Sequence, residues 1–188
     1  MFAQIKTQAL RTDNQARYYY YFGLTLKALG KLDEAVRLFA QVKDTGTVQL
    51  RALALQERAL CFKKQGKIDF SIRELETILE EYPNRGGLEQ TFLMLGIQYF
   101  ESGDFSRSLE YFREAKERGV SAEERALLEY GIIKNMFQLG KMQAVIEAVP
   151  PFQELSAHTT LHVEVMYLYG AALYHVHAYQ KAEMVLEG

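Results

Sequence analysis

Apolar residues recur at helical spacing along the chain, and short polar turns interrupt them. Within residues 19–42 one apolar run ends at Leu29-Gly30, and a second begins at Leu32 and continues through Ala35, Phe39 and Val42. Two amphipathic helices joined by a tight turn keep apolar faces that only neighbouring helices can cover. The pattern therefore predicts helix-turn-helix units that stack on one another.

The turn itself repeats at a nearly constant period. Glycines follow one another at spacings of 36, 37 and 37 residues, at Gly30, Gly66, Gly103 and Gly140. Glycine fits the left-handed position that ends many helices. The same period places a fifth turn at His177, and self-similarity of this length is typical of solenoid proteins.

The pattern predicts ten helices. They lie near residues 14–29, 32–44, 47–65, 68–82, 86–102, 105–118, 121–139, 142–149, 160–176 and 179–187. The eighth helix is expected to end at Val149 because Pro150-Pro151 follows, and a proline inside a helix costs about 3 kcal/mol. An irregular link should then run to about Thr160.

The repeat resembles the tetratricopeptide repeat family. The family's pattern places small residues where the two helices of a repeat approach each other. Here those positions are Gly23, Ala59, Gly96 and Gly170, facing Ala35, Ser71, Ser108 and Ala182. The resemblance implies an all-α, right-handed superhelical solenoid that forms one domain over residues 1–188. Its repeats would span about 16–51, 52–88, 89–125, 126–162 and 163–188, the last one truncated.

Residues 1–10 are predicted to be the tail of a preceding repeat. The segment Phe2-Ala3-Gln4-Ile5-Lys6 matches Phe39-Ala40-Gln41-Val42-Lys43, which ends a second helix. We therefore expect the chain to be a segment of a longer array. Repeat arrays normally carry polar capping helices, and their absence leaves homo-oligomerisation through the uncapped ends open.

Composition excludes several functional classes. The 188 residues carry 22 Lys and Arg against 24 Asp and Glu, a net charge of −2, which argues against nucleic-acid binding. The sequence contains neither a long apolar run that would insert into a membrane nor a signal peptide, which favours the cytoplasm.

Candidate chemistry is sparse. His158 and His162 stand four residues apart, but the sequence offers no clear third ligand, so we predict no metal site. Cys61 lies mid-helix and is expected to be a buried apolar residue. No catalytic or nucleotide-binding motif occurs. We predict no enzyme activity and no cofactor.

In the family, the first helices of successive repeats line a concave groove. The resemblance implies a peptide-binding groove made of Arg17, Tyr20, Tyr21, Leu24, Lys27, Gln56, Leu60, Lys63, Leu93, Met94, Ile97, Phe100, Tyr130, Lys134, Phe137, Tyr167 and Tyr174. The Lys and Asn residues with which some members hold a peptide carboxylate are missing, since Tyr20, Tyr21 and Leu24 occupy those positions.

These residues predict a non-catalytic protein-protein interaction scaffold within a larger assembly. Its groove is richer in aromatic and aliphatic residues than solvation favours, so the expected partner is an apolar or amphipathic peptide or helix. Alternatively, the protein itself covers the groove, or the chain is a ligand- or peptide-sensing module of a regulatory protein. A targeting domain fused to an enzyme is a third alternative.

Overall fold

The computed structural model describes residues 2–156 and 160–187, and these form ten helices and no strand. The helices are α1 (Phe2–Ala28), α2 (Leu32–Thr45), α3 (Val48–Lys64), α4 (Ile68–Glu81), α5 (Leu88–Glu101), α6 (Phe105–Arg118), α7 (Ala122–Gln138), α8 (Met142–Ser156), α9 (Leu161–His175) and α10 (Tyr179–Glu187). Eight of them, all except α1 and α8, begin and end within two residues of the predicted bounds.

All five predicted turns share one backbone geometry. Each turn residue has a positive φ, from 63° at His177 to 83° at Gly103. In each turn the following N–H donates to the carbonyl five residues earlier at 2.9 Å, as Lys31 does to Leu26 and Ala178 to Leu173. This bond satisfies a carbonyl that the end of the helix leaves open. The predicted period is confirmed, including the turn that lacks glycine.

Small residues bring paired helices together, as predicted. The Ser71 hydroxyl donates to the Ala59 carbonyl at 2.6 Å, and the Ser108 hydroxyl donates to the Gly96 carbonyl at the same distance. At Gly23, an added Cβ would lie 2.7 Å from the Phe39 ring, so only glycine fits without movement of the ring.

The predicted end of α8 at Val149 is wrong. The helix continues to Ser156 with Pro150 and Pro151 inside it. Both prolines are exposed, so their rings lie on the solvent side of the helix. On the opposite side Val149 and Phe152 are at most 2% exposed. Since burying such a side chain is worth about 1.5–3 kcal/mol, packing offsets the cost of the prolines.

The predicted start of the first helix near residue 14 is also wrong. α1 runs without a break over 27 residues from Phe2 to Ala28, so no turn separates residues 2–10 from the rest of the helix. The assignment of residues 1–10 to a preceding repeat stays a prediction.

The chain divides into two compact units, Met1–Thr91 and Phe92–Gly188. The core of the first unit contains Ala16, Leu26, Ala35, Phe39, Val42, Ala54 and Cys61. In the second unit the fully buried side chains include Leu95, Leu128, Ile133, Val145, Val149, Phe152 and Val165. The single domain over residues 1–188 stays a prediction.

Candidate functional site

The second unit contains an open apolar cavity between two first helices. Its volume is about 320 Å³, and its lining includes Ile97 and Phe100 from α5 and Leu127, Tyr130 and Lys134 from α7. The α7 residues follow one another at spacings of three and four, so they share one face of that helix. Four of these five residues were predicted as groove positions from the sequence.

The ring of Phe112 on α6 also lines this cavity. A Cβ added to Gly131 would lie 2.6 Å from that ring, and one added to Gly96 would lie 2.9 Å from it. The two glycines therefore let the aromatic ring fit between α5 and α7. Gly96 was predicted as a small position, whereas the role of Gly131 was not predicted.

One lysine brings a positive charge to the apolar cavity. The Lys134 ammonium lies 5.1 Å from the centroids of both the Phe100 and the Tyr130 ring, within the range of cation–π attraction. It also donates to the Tyr130 hydroxyl at 2.8 Å. The Glu101 side chain of α5 lines the same cavity, so a carboxylate is also present there.

The Tyr130 hydroxyl links α7 to α9, because it donates to the Glu164 carboxylate. Burial of the phenol is the main cause of the raised pKa of Tyr130, and this hydrogen bond raises the pKa further. The phenol therefore stays protonated near neutral pH and acts as a donor to Glu164. This chain of hydrogen bonds fixes one rim of the cavity.

In the first unit, the predicted groove residues of α1 and α3 are held by internal contacts. Lys27 forms an ion pair with Glu57, and only 20% and 19% of these side chains are exposed. Tyr20 is half-buried, with its ring centroid 5.9 Å from that of Phe39. Burial raises the pKa of Tyr20, and the nearby Glu57 charge raises it further. Lys27 and Tyr20 thus tie α1 to its neighbours.

The first unit contains a smaller cavity of about 190 Å³ between α1 and α3. Predicted groove residues Arg17 and Tyr21 line it, together with Leu50 and Leu53 of α3. Arg17 already pairs with Asp13 at 3.0 Å, so its charge is largely compensated. Tyr21 is 64% exposed and offers most of its ring to solvent.

The remaining predicted positions differ in accessibility. Tyr167 and Tyr174 are exposed, whereas Leu93 is only 5% exposed and is therefore inaccessible to a partner. The half-buried positions are Leu24, Gln56, Leu60, Lys63, Met94 and Phe137. Leu127 and Glu164 were not predicted from the sequence. The spacing of Leu127, three residues before Tyr130, would have identified it.

The described residues include no group of three metal-ligating side chains. His158, one of the two histidines weighed as a metal pair, lies outside the described residues. Cys61 is buried as predicted, and burial raises the pKa of its thiol. No described helix is both long enough and apolar enough to cross a membrane.

Neither a protein-family model nor a curated protein sequence matches the chain. Solved structures do match it. YrrB, a TPR protein with an unusual peptide-binding site, superposes with a TM-score of 0.77 at 16% identity, covering 96% of this chain and 88% of its own. MamA from Desulfovibrio magneticus RS-1 gives 0.77 at 12% identity, covering 94% and 93%. The TPR-like repeats of a putative kinesin light chain from Podospora anserina give 0.68 at 16%, covering 91% of both chains.

These likenesses, together with the ten helices and their five turns, define the fold. The chain has the all-helical repeat fold of tetratricopeptide-repeat proteins. The all-α repeat fold that the glycine period and the small helix-contact residues predicted is confirmed.

Proposed function

We propose that the chain is a non-catalytic protein-interaction scaffold that binds an apolar or amphipathic peptide or helix. The observation that carries this proposal is the cavity of Ile97, Phe100, Leu127, Tyr130 and Lys134. Its volume of about 320 Å³ is at the small end of the 300–1,000 Å³ typical of ligand pockets. A space of this size suits an anchoring side chain of a peptide better than a complete cofactor.

The lining of the cavity indicates which part of a peptide binds where. Phe100 and Leu127 offer apolar surface to an aliphatic or aromatic side chain, which is the usual anchor at protein interfaces. Lys134 stands beside this surface, and its ammonium can donate to a carbonyl or carboxylate of the guest. YrrB, which shares the fold, is described as having a peptide-binding site.

The proposal is tested by selecting a displayed library of random peptides on the wild-type chain. We expect enriched peptides to carry bulky apolar residues and to bind the purified chain in fluorescence polarisation. Leu127→Glu places a charge at the cavity and should weaken binding at least about tenfold, which is the effect of about 1.4 kcal/mol. Leu127 is 40% exposed, so the substitution should leave the fold intact.

Met184→Glu is the matched control, because Met184 is 70% exposed on α10 and does not line the cavity. It introduces the same charge and should leave peptide binding unchanged. Two results would contradict the proposal: a library that yields no binding peptide, or peptides that bind Leu127→Glu as tightly as the wild-type chain.

A further inference from the structure

The first unit contains a cavity of about 710 Å³ where two links between repeats meet. Val48 and Gln49 line it from the start of α3, and residues 81–86 line it from the end of α4 and the link that follows. Its volume lies within the range of about 300–1,000 Å³ that is typical of small-ligand pockets. All of these lining residues belong to the first unit, so the cavity is separate from the peptide cavity of α5 and α7.

The link between α4 and α5 forms one wall of this cavity because it is long. It takes residues 82–87, whereas residues 46–47 join α2 to α3 and residues 119–121 join α6 to α7. The additional residues include Pro83 and Arg85, both of which line the cavity. The cavity is therefore a particular feature of this junction and does not recur at these shorter links.

Arg85 brings an incompletely bonded guanidinium group to the cavity. The side chain is half-buried, and its Nη1 is buried without a hydrogen-bond partner among the described residues. The Nε of Arg51 is in the same condition, and Arg51 lines a neighbouring cavity that shares Glu81 and Tyr82 with this one. A buried donor without an acceptor is costly, so a ligand oxygen that turns these guanidinium groups toward it binds favourably.

The start of α3 adds backbone donors to the same cavity. The Thr47 side chain accepts from the N–H of Leu50 at 3.3 Å, and the Thr47 carbonyl accepts from the N–H of Arg51 at 2.9 Å. The N–H groups of Val48 and Gln49 have no acceptor inside the helix, and they lie at the positive end of its dipole. Both residues line the cavity, so the backbone there also favours a negatively charged group.

The two neighbouring cavities have more basic than acidic side chains in their lining. Arg58 and Glu74 pair with each other at 3.0 Å, so their charges largely cancel. The remaining charged lining residues are one acid, Glu81, and three bases, Lys43, Arg51 and Arg85. The Glu81 carboxylate itself lies 4.0 Å from the Lys43 ammonium. The local charge therefore suits an anion.

We propose that this cavity binds a small carboxylic acid with an aromatic or aliphatic body. The planar guanidinium of Arg85 suits the two oxygens of a carboxylate, and the start of α3 can donate to the same group. Apolar surface for the body of the ligand comes from Val48, which is 57% exposed, from the half-buried ring of Tyr82 and from the exposed Pro83. This site goes beyond the peptide cavity and is independent of it.

The test uses benzoate as the probe and benzamide as its neutral counterpart of the same shape. Amide correlation spectra of the ¹⁵N-labelled full chain are recorded at constant ionic strength while each probe is added to about 20 mM. Benzoate should shift the amides of Val48, Gln49 and residues 84–86 and should saturate, with a Kd of about 1 mM, as expected for so small a ligand. Benzamide should bind at least about tenfold more weakly, because it lacks the charge.

Arg85→Gln should weaken benzoate binding at least about tenfold, because it removes the charge and the planar donor pair. Arg85→Lys keeps the charge but loses the paired donors, so its affinity should fall between those of Arg85→Gln and the wild type. Arg113→Gln is the matched control, since Arg113 is exposed on α6 and does not line the cavity. It removes the same charge and should leave benzoate binding unchanged, as should Leu127→Glu. The amide spectra themselves verify that each variant is folded.

Four results would overturn the proposal. Benzoate shifts could rise without saturation, benzamide could bind as tightly as benzoate, or a folded Arg85→Gln protein could bind benzoate as tightly as the wild type. Inorganic phosphate that binds as tightly as benzoate would also overturn it, because the apolar body of the ligand would then contribute nothing.

Discussion

At the scale of single residues, His177 adopts a backbone conformation that favours glycine. Its φ is 63°, in the left-handed region, where the other four repeat turns have glycine. This conformation costs a residue with a Cβ about 1–2 kcal/mol. Relief of this strain in His177→Gly should raise the free energy of unfolding by about 1 kcal/mol. The greater conformational freedom of glycine in the unfolded chain reduces this gain. Urea unfolding measures this difference.

The converse substitution is the control. Gly140→His places the same side chain in an equivalent turn, where φ is 71° and no atom lies within 4 Å of an added Cβ. Gly140→His should lower the free energy of unfolding by an amount similar to the gain in His177→Gly, because only the backbone conformation is strained. A His177→Gly protein less stable than the wild type would show that the short contact between the imidazole and Tyr179 outweighs the backbone strain.

Single residues of the cavity were harder to predict than the turns. Four of the five turns have glycine in the left-handed conformation, and their constant spacing also placed the fifth turn at His177. The fit of Phe112 beside Gly131 depends on how α7 of the next repeat packs on α6, and the pattern within a single repeat does not encode it. The burial of Leu93, which was expected in the groove, likewise depends on how helices pack and not on its position in the repeat.

At the scale of helices, α8 shows tertiary packing overriding a local preference. Pro150 has no N–H for the carbonyl four residues earlier, yet the helix continues so that Phe152 is buried. We expect Pro150→Ala to restore this bond and to raise the free energy of unfolding by about 1–2 kcal/mol. This is less than the full proline penalty of about 3 kcal/mol, because proline also restricts the unfolded chain. Thermal and urea unfolding measure the change.

Pro83→Ala is the control for this substitution. Pro83 lies between α4 and α5 and is exposed, so its replacement restores no helical hydrogen bond and should be neutral or slightly destabilising. If Pro150→Ala also proved neutral, the helix would end before the prolines in solution, as the sequence alone predicted. Apart from α1 and α8, the spacing of apolar residues and turns predicted every helix bound to within two residues.

At the scale of the whole molecule, the two compact units determine how the chain should unfold. Phe39 belongs to the core of the first unit and Phe112 to the second, and each is at most 3% exposed. Either Phe→Ala substitution should cost about 3–5 kcal/mol. In repeat proteins, stability is a sum over repeats and their nearest neighbours. We therefore expect Phe39→Ala to lower hydrogen-exchange protection mainly in α1–α4, and Phe112→Ala mainly in α5–α10.

Hydrogen exchange followed by mass spectrometry, with peptides from all ten helices, measures both variants against the wild type. Ile133→Val, a milder change in the second unit's core, is the control and should shift protection in the same helices as Phe112→Ala by a smaller amount. Equal loss of protection throughout the chain in both Phe→Ala variants would contradict local unfolding. The chain would then unfold as the single cooperative domain that the repeat pattern predicts over residues 1–188.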